Sequence, residues 1–218
     1  MSADIVLIAD PRVLAIPIQD NDEPLVDLKN FGSIFGVQDA RSTLVRASVS
    51  ERLQSAAKLL PEGLRFRIRE GHRSLTLQKE YFEEYRTELK TAHPDWNDEM
   101  LRTETSKFVA PPDSTPPHST AAALDLTIET VNGEVLEMET KLNESPEASR
   151  NDCYTYAENI SDIAKQHRKI LIDALTQSGF VNYPTEWWHW SYGDRYWAFM
   201  TNRPFALYGS VEEPQKES

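Results

Sequence analysis

The stretch His118-Ser-Thr-Ala-Ala-Ala-Leu-Asp-Leu-Thr-Ile-Glu-Thr130 follows a stiff lead-in, Ala110-Pro-Pro-Asp-Ser-Thr-Pro-Pro117, whose four prolines exclude a helix. From Ala122 to Thr130 the residues alternate with period two. Leu124, Leu126 and Ile128 share one face, and Ala123, Asp125 and Thr127 share the other. That is a strand. Asn132-Gly133 is a hairpin signal, and Glu134 to Met138 would form the return. One carboxylate, Asp125, therefore sits in an otherwise apolar strand. A buried lone carboxylate is costly and needs a cation or several donors. An Asp on an exposed face beside Thr127 fits the same residues.

Working outward, Leu64-Arg-Phe-Arg-Ile-Arg69 alternates strictly and reads as a second strand. Ser48-Val-Ser-Glu51 has a capping-box pattern ahead of Leu53, Ala56, Ala57 and Leu60 at helical spacing, and Pro61 ends that helix. Leu77, Tyr81, Tyr85 and Leu89 mark another helix, and Asp95 caps a third that runs to about Phe108. Ser161 opens a fourth, with Ile163, His167, Ile170, Leu171, Ala174 and Leu175 on its buried side and Gly179 closing it. Residues 1–47 read as short strands and loops, and 139–152 as a loop. Helices and hairpin strands mix without a regular βαβ repeat. The expectation is an α+β fold, a mainly antiparallel sheet with helices packed on one side. It would form a single domain over 1–210 with a flexible tail at 211–218.

The 218 residues are 39% apolar and 27% charged, ordinary for a soluble globular chain with a real core. No stretch approaches the length of a membrane span. The net charge of −12, with no Lys/Arg cluster, sets the chain against nucleic acid and anionic lipid. A small substrate is the expected partner, and the sequence leaves the oligomeric state unassigned. The apolar run Ile5 to Ile8 lies between Asp4 and Asp10 without a basic start, so it reads as an edge strand and not a signal peptide. The single cysteine, Cys153, excludes an internal disulfide and fits a reducing, cytoplasmic setting.

His118 and Asp125 offer an imidazole and a carboxylate, ligand types that suit zinc. Glu186-Trp-Trp-His189 adds a second candidate pair. A Glu three residues before a metal ligand can reach the water on that metal and take its proton. An ideal strand would put Glu186 and His189 on opposite faces, so a turn or bulge is required. Four of the five tryptophans lie between 187 and 197, and an aromatic core with a satisfied histidine fits this segment as well. Arg73 follows the 64–69 strand in Glu70-Gly-His-Arg73, where Gly71 permits a tight turn. It either caps a helix end or aims a cation at a developing oxyanion. His72, His93 and His167 read as structural, and Cys153 lacks a neighbouring base.

Taken together these segments resemble the D-alanyl-D-alanine dipeptidases, which include the vancomycin-resistance D,D-dipeptidases. His118 to Asp125 resembles the family's Ser-x-His-x-x-Gly-x-Ala-x-Asp, and Glu186-Trp-Trp-His189 its Glu-x-x-His. Gly71-His-Arg73 resembles its Gly-Tyr-Arg, and Asn30-Phe31-Gly32 its Asn-Phe-x-Gly. The order and approximate spacing agree from about residue 26 to 199. The resemblance implies an α+β zinc metallopeptidase with one Zn²⁺ per chain on His118, Asp125 and His189. It implies Glu186 as catalytic base and later acid, and Arg73 on the scissile carbonyl oxygen. Pro116 stands where the family has Ser and Ala121 where it has Gly. Asn143 stands where a family Asp helps bind the substrate's amino group, with Glu139 four residues before it. Asn143, Glu139, Ser119 and Trp188 are carried as candidate substrate contacts. The implied activity is hydrolysis of a small dipeptide such as D-Ala-D-Ala. The alternatives are a zinc carboxypeptidase or amidase acting on a modified peptide intermediate, and an inactive zinc-binding protein on the same fold.

Overall fold

A computed structural model describes residues 5–211. In chain order the elements are α1 (Pro11–Leu14), β1 (Leu25–Asp27), β2 (Leu44–Arg46), α2 (Ala47–Ala57), β3 (Leu64–Glu70), α3 (Leu75–Ala92), α4 (Asp98–Thr105), β4 (Ala123–Thr130), α5 (Pro146–Ser149), α6 (Asp162–Gln177), β5 (Val181–Asn182), β6 (His189–Ser191) and α7 (Arg195–Met200). Two 3-10 turns, Leu28–Phe31 and Pro117–Thr120, join them. The architecture is α+β, built on an antiparallel sheet of order β3-β4-β6-β5. β1 and β2 form a separate antiparallel ribbon. No helix among the described residues is long and apolar enough to cross a membrane.

β4 is the centre of this sheet, and its residues from Ala123 to Glu129 are all buried. Leu124, Leu126 and Ile128 join one apolar cluster with Val49 and Leu53 of α2, Leu171 and Leu175 of α6, and Trp187, Trp188 and Trp190. Burying such side chains contributes about 1.5–3 kcal/mol each, which is what docks both helices on this face. The opposite face of β4 carries Asp125, Thr127 and Glu129, and they are buried too. Glu129 is matched by Arg65 at 2.7 Å and Arg67 at 2.8 Å from the adjacent β3. The far edge of β3 is covered by residues 36–42, which bridge to Arg67 and Glu70.

Several local expectations change. The capping box does not form. α2 begins at Ala47 with no side-chain cap, and Glu23 takes both the Ser48 amide (2.8 Å) and its hydroxyl (2.6 Å). Asn97, not Asp95, caps α4, which ends at Thr105. Ser161 does cap α6, but the buried stripe runs through Ala164, Arg168, Leu171, Ala174 and Leu175. Ile163 is 50% exposed, and the His167 ring meets the Glu137 carbonyl at 2.8 Å. Arg168 takes a place in the stripe because four of its guanidinium N–H groups are matched by backbone carbonyls of Met138, Asp152 and Tyr154. Ile5 to Ile8 forms no strand, and Ile8 instead packs with Val13, Tyr183 and Tyr196. The return from Gly133 is one bridge, Glu129 to Val135, rather than a strand. Residues 139–152 are not all loop, since they contain α5, capped by Ser145. The expected tail lies outside the described residues beyond Val211, and Val211 itself donates its amide to the Ser119 carbonyl at 2.7 Å.

Candidate active site

Three neighbouring strands set one row of polar side chains. β3 pairs Glu70 with Asp125 on β4, and β4 pairs Asp125 with His189 on β6. The β3–β4 register shifts between Ile68 and Glu70, a bulge that brings Glu70 into this row. His118 enters from the 3-10 turn Pro117–Thr120, which the preceding prolines hold out of a regular helix. Its Nδ1 lies 2.8 Å from the Gly71 carbonyl. A carbonyl only accepts, so Nδ1 carries the proton and Nε2 keeps its lone pair. Gly71 is required here for close approach, because a Cβ would sit 2.5 Å from the Leu44 carbonyl oxygen.

The three candidate ligand atoms converge. His118 Nε2 is 3.2 Å from His189 Nδ1 and 3.3 Å from Asp125 Oδ1, and His189 Nδ1 is 3.1 Å from Asp125 Oδ1. A tetrahedral ion with bonds of about 2.0–2.1 Å has ligand–ligand edges of roughly 3.3 Å. The donor set and its spacing therefore fit zinc. His118, Asp125 and His189 are all buried.

Glu186 reaches the same place through a tight turn. Its amide bonds the Tyr183 carbonyl, and the His189 amide bonds the Glu186 carbonyl at 3.2 Å. The turn puts Glu186 Oε2 3.8 Å from His189 Nδ1, on the same side as the histidine. Burial pushes the Glu186 carboxyl well up, and the Asp125 charge adds to this, while Arg73 opposes it. For Asp125 burial acts upward, but proton-bearing His118 and His189 rings beside it outweigh this and hold the carboxyl far below its ordinary value, a role that a bound cation would take over. Burial lowers His189 against the opposing hydrogen bond to Asp125, a direction that favours the neutral ring a ligand needs. His189 Nε2 and Asp194 Oδ2 are both buried without a hydrogen-bond partner, and the Asp194 charge acts on the ring.

Arg73 borders the group. Its Nη2 is 4.0 Å from Asp125 Oδ2, and its amide donates to the His118 carbonyl at 3.1 Å. Burial works against its charge, but the hydrogen bonds to Glu70 raise its pKa above the ordinary value. A cavity of about 450 Å³ opens on Arg73, His118, Asp125, Glu186 and His189. Asn143 and Pro116 also line it. The structure thus brings together the three ligand candidates, the candidate base, Arg73 and Asn143.

It does not bring Glu139, Ser119 or Trp188 to the cavity wall. Glu139 is turned to the start of α6, where it accepts the Ser161 amide at 2.9 Å. Ser119 donates to the Pro116 carbonyl at 2.7 Å and meets Ser210 Oγ at 2.8 Å. Trp188 is in the core. Its indole N–H meets no acceptor in hydrogen-bond geometry, yet it favours the ionised form of Glu186. Ala121 adopts φ +57°, the left-handed region that favours glycine. Burial pushes the Cys153 thiol up to about 11, so it is inert at neutral pH. Glu70 and Gln78, which hold Arg73, are absent from the expected set. The only sequence signal for Glu70 is its position at the end of an alternating run.

The chain matches a family model described as D-ala-D-ala dipeptidase over residues 20–208. A relative named D-alanyl-D-alanine dipeptidase from Synechocystis sp. is 27% identical over 237 residues, covering 91% of this chain and 96% of the relative. A second protein of that name, from Escherichia coli, is 33% identical over 72 residues, 33% of this chain and 35% of its own length. Among solved structures, VanYB in complex with D-Alanine-D-Alanine superposes with TM-score 0.50 at 18% identity, covering 91% of this chain and 92% of that one. That likeness is one of fold.

Proposed function

The chain belongs to the D-ala-D-ala dipeptidase family, and on that footing we propose that it is a zinc-dependent dipeptidase acting on a small dipeptide such as D-Ala-D-Ala. The observation that carries the reading is the convergence of His118 Nε2, Asp125 Oδ1 and His189 Nδ1 at tetrahedral spacing, beside Glu186 and on the wall of the cavity. Zinc held by these three atoms, one ion per chain, would supply Lewis acidity and bring the pKa of a water to about 7.

The other groups do their own work. The Glu186 carboxylate takes a proton from the attacking water and later delivers it to the leaving amine. Its buried setting makes it a stronger base than an exposed glutamate. Arg73 donates to the scissile carbonyl oxygen as negative charge develops there. Groups of these two kinds each contribute about 10²–10⁴-fold in rate, or about 3–5 kcal/mol of barrier. The unpaired, buried Cys153 thiol supports a reducing, cytoplasmic setting.

The test is release of free D-alanine from D-Ala-D-Ala by the zinc-loaded protein, together with its metal content. Turnover that requires zinc and is lost in Glu186→Ala is the expected result. Activity unchanged in Glu186→Ala removes the base from the account.

A second reading is favoured by Asn143, which lines the cavity with a neutral amide. A carboxyamide cannot pair with an ammonium as a carboxylate does. The same machinery would then serve a carboxypeptidase or amidase acting on a peptide whose amino end is modified. Comparing free and N-acetylated dipeptides separates the two.

A further inference from the structure

The surroundings of Arg73 hold its guanidinium from two sides. Glu70 closes β3 at 1% exposure, and its two oxygens accept Arg73 Nε–H and Nη2–H, each at 2.8 Å. Gln78, in the first turn of α3 and 2% exposed, accepts Arg73 Nη1–H at 2.9 Å through its amide oxygen. The Gln78 amide nitrogen donates to the Ala110 carbonyl at 2.8 Å, which fixes the amide's orientation. The Tyr81 ring lies under the guanidinium, 4.9 Å from its centre. An arginine has five N–H donors, and three are consumed by Glu70 and Gln78. One N–H on each terminal nitrogen is left.

A purely structural role for this pair explains little. A buried ion pair roughly breaks even against apolar packing, because desolvation offsets the attraction. Asp125, which faces Glu70 across the β3–β4 pairing, adds like-charge repulsion on Glu70, which Arg41 Nη1 at 3.6 Å from Glu70 Oε2 partly offsets. Geometry is what the clamp supplies. A long side chain that is already held loses no rotamer freedom on meeting substrate, and a donor misplaced by an ångström loses most of its effect. Resting on the dipeptidase reading above, we propose that Glu70 and Gln78 are positioning residues that hold Arg73 with its two remaining N–H groups available to the scissile carbonyl oxygen.

The experiment uses the zinc-loaded full chain with D-Ala-D-Ala and four variants: Glu70→Gln, Gln78→Met, Arg73→Ala and the Glu70→Gln/Arg73→Ala double. Loss of the clamp lowers kcat about 10–100-fold in Glu70→Gln and about tenfold in Gln78→Met. KM stays within roughly threefold and zinc content is unchanged, because the lost interaction belongs to the transition state. In the Arg73→Ala background Glu70→Gln costs nothing further, since Glu70 acts only through Arg73. Independently of turnover, the Arg73 Nε–H signal in ¹⁵N NMR exchanges faster with water in Glu70→Gln. Equal losses from Glu70→Gln with and without Arg73, or full kcat in both clamp variants, overturn the assignment. Should Glu70→Gln not fold, Gln78→Met decides alone. A wild type that turns over no dipeptide sinks the reading of the site and this assignment together. A wild type that turns over while both clamp variants keep full kcat sinks the assignment only.

Discussion

Asp125 and His189 face each other directly across β4 and β6, with Asp125 Oδ1 3.1 Å from His189 Nδ1. Strand register, rather than a loop, therefore fixes two of the three proposed ligands. A site on strands is held more tightly than one on loops, and its ligand atoms stay close enough to share one ion. Asp125→Asn keeps the shape and removes the charge. Zinc affinity measured by chelator competition should fall by at least about 100-fold, since even outer-shell losses cost 10–100-fold. Unchanged affinity would place the ion elsewhere.

Glu186→Gln should keep zinc and lower kcat by about 10²–10⁴-fold. Stopped assays with quantified metal separate this from loss of the ion. A variant with near-normal kcat would leave the proton without an acceptor.

The raised pKa of Glu186 also has a stability consequence in the metal-free protein. A carboxyl whose folded pKa lies above its unfolded value loses stability as pH rises from the unfolded value through the folded one. His189, lowered by burial, acts in the opposite sense, its contribution being lost as pH falls below the ordinary histidine range. The two are separated by comparing Glu186→Gln with wild type, both stripped of metal. The variant's advantage in urea midpoint should widen between about pH 5 and about pH 8, because only the wild type must ionise a buried carboxyl. A gap that does not change with pH would mean Glu186 is not held in this way.

Gly71→Ala should destabilise by about 1–3 kcal/mol, the usual cost of overpacking. Its Cβ meets backbone, the Leu44 carbonyl oxygen at 2.5 Å, which cannot swing aside. The shift also pulls the Gly71 carbonyl from His118 Nδ1, so zinc affinity should drop with stability. Ala121→Gly makes the opposite prediction. At φ +57° a Cβ is strained, and glycine should be neutral or stabilising by about 0–1 kcal/mol in urea unfolding. Destabilisation there would show that the Ala121 methyl contributes packing that outweighs the strain.

Asn143→Asp places a carboxylate on the cavity wall. KM for a free-amine dipeptide should fall about tenfold, the range of a charge-assisted hydrogen bond, with little change for the N-acetylated form. Equal effects on both substrates would show that position 143 does not face the amino end.

What the sequence made legible follows from the period of the pattern. Asp125 could be placed because its strand alternates over nine residues, and His118 because prolines bracket the turn before it. Glu186 and His189 could be paired only by supposing a turn, which the backbone bond between Glu186 and His189 supplies. Glu70 was not legible, since a bulge between Ile68 and Glu70 sets its facing and bulges leave no alternation to read. Gln78 was hidden for a different reason: its partners, Arg73 and Ala110, come from separate segments. The α6 stripe differs from its apolar spacing because Arg168, polar by type, is buried with its charge met by carbonyls from residues 138–154. Glu139 and Ser119 lie inside segments that resemble the family's. Their side chains are committed to α6 and to Ser210.

The most direct measurement is a crystal structure of the zinc-loaded protein with anomalous data at the zinc edge. One peak per chain, bounded by His118 Nε2, Asp125 Oδ1 and His189 Nδ1 at about 2.0–2.2 Å, is the predicted result. A peak elsewhere, or none at saturating zinc, would contradict the shared ion on which the chemistry rests.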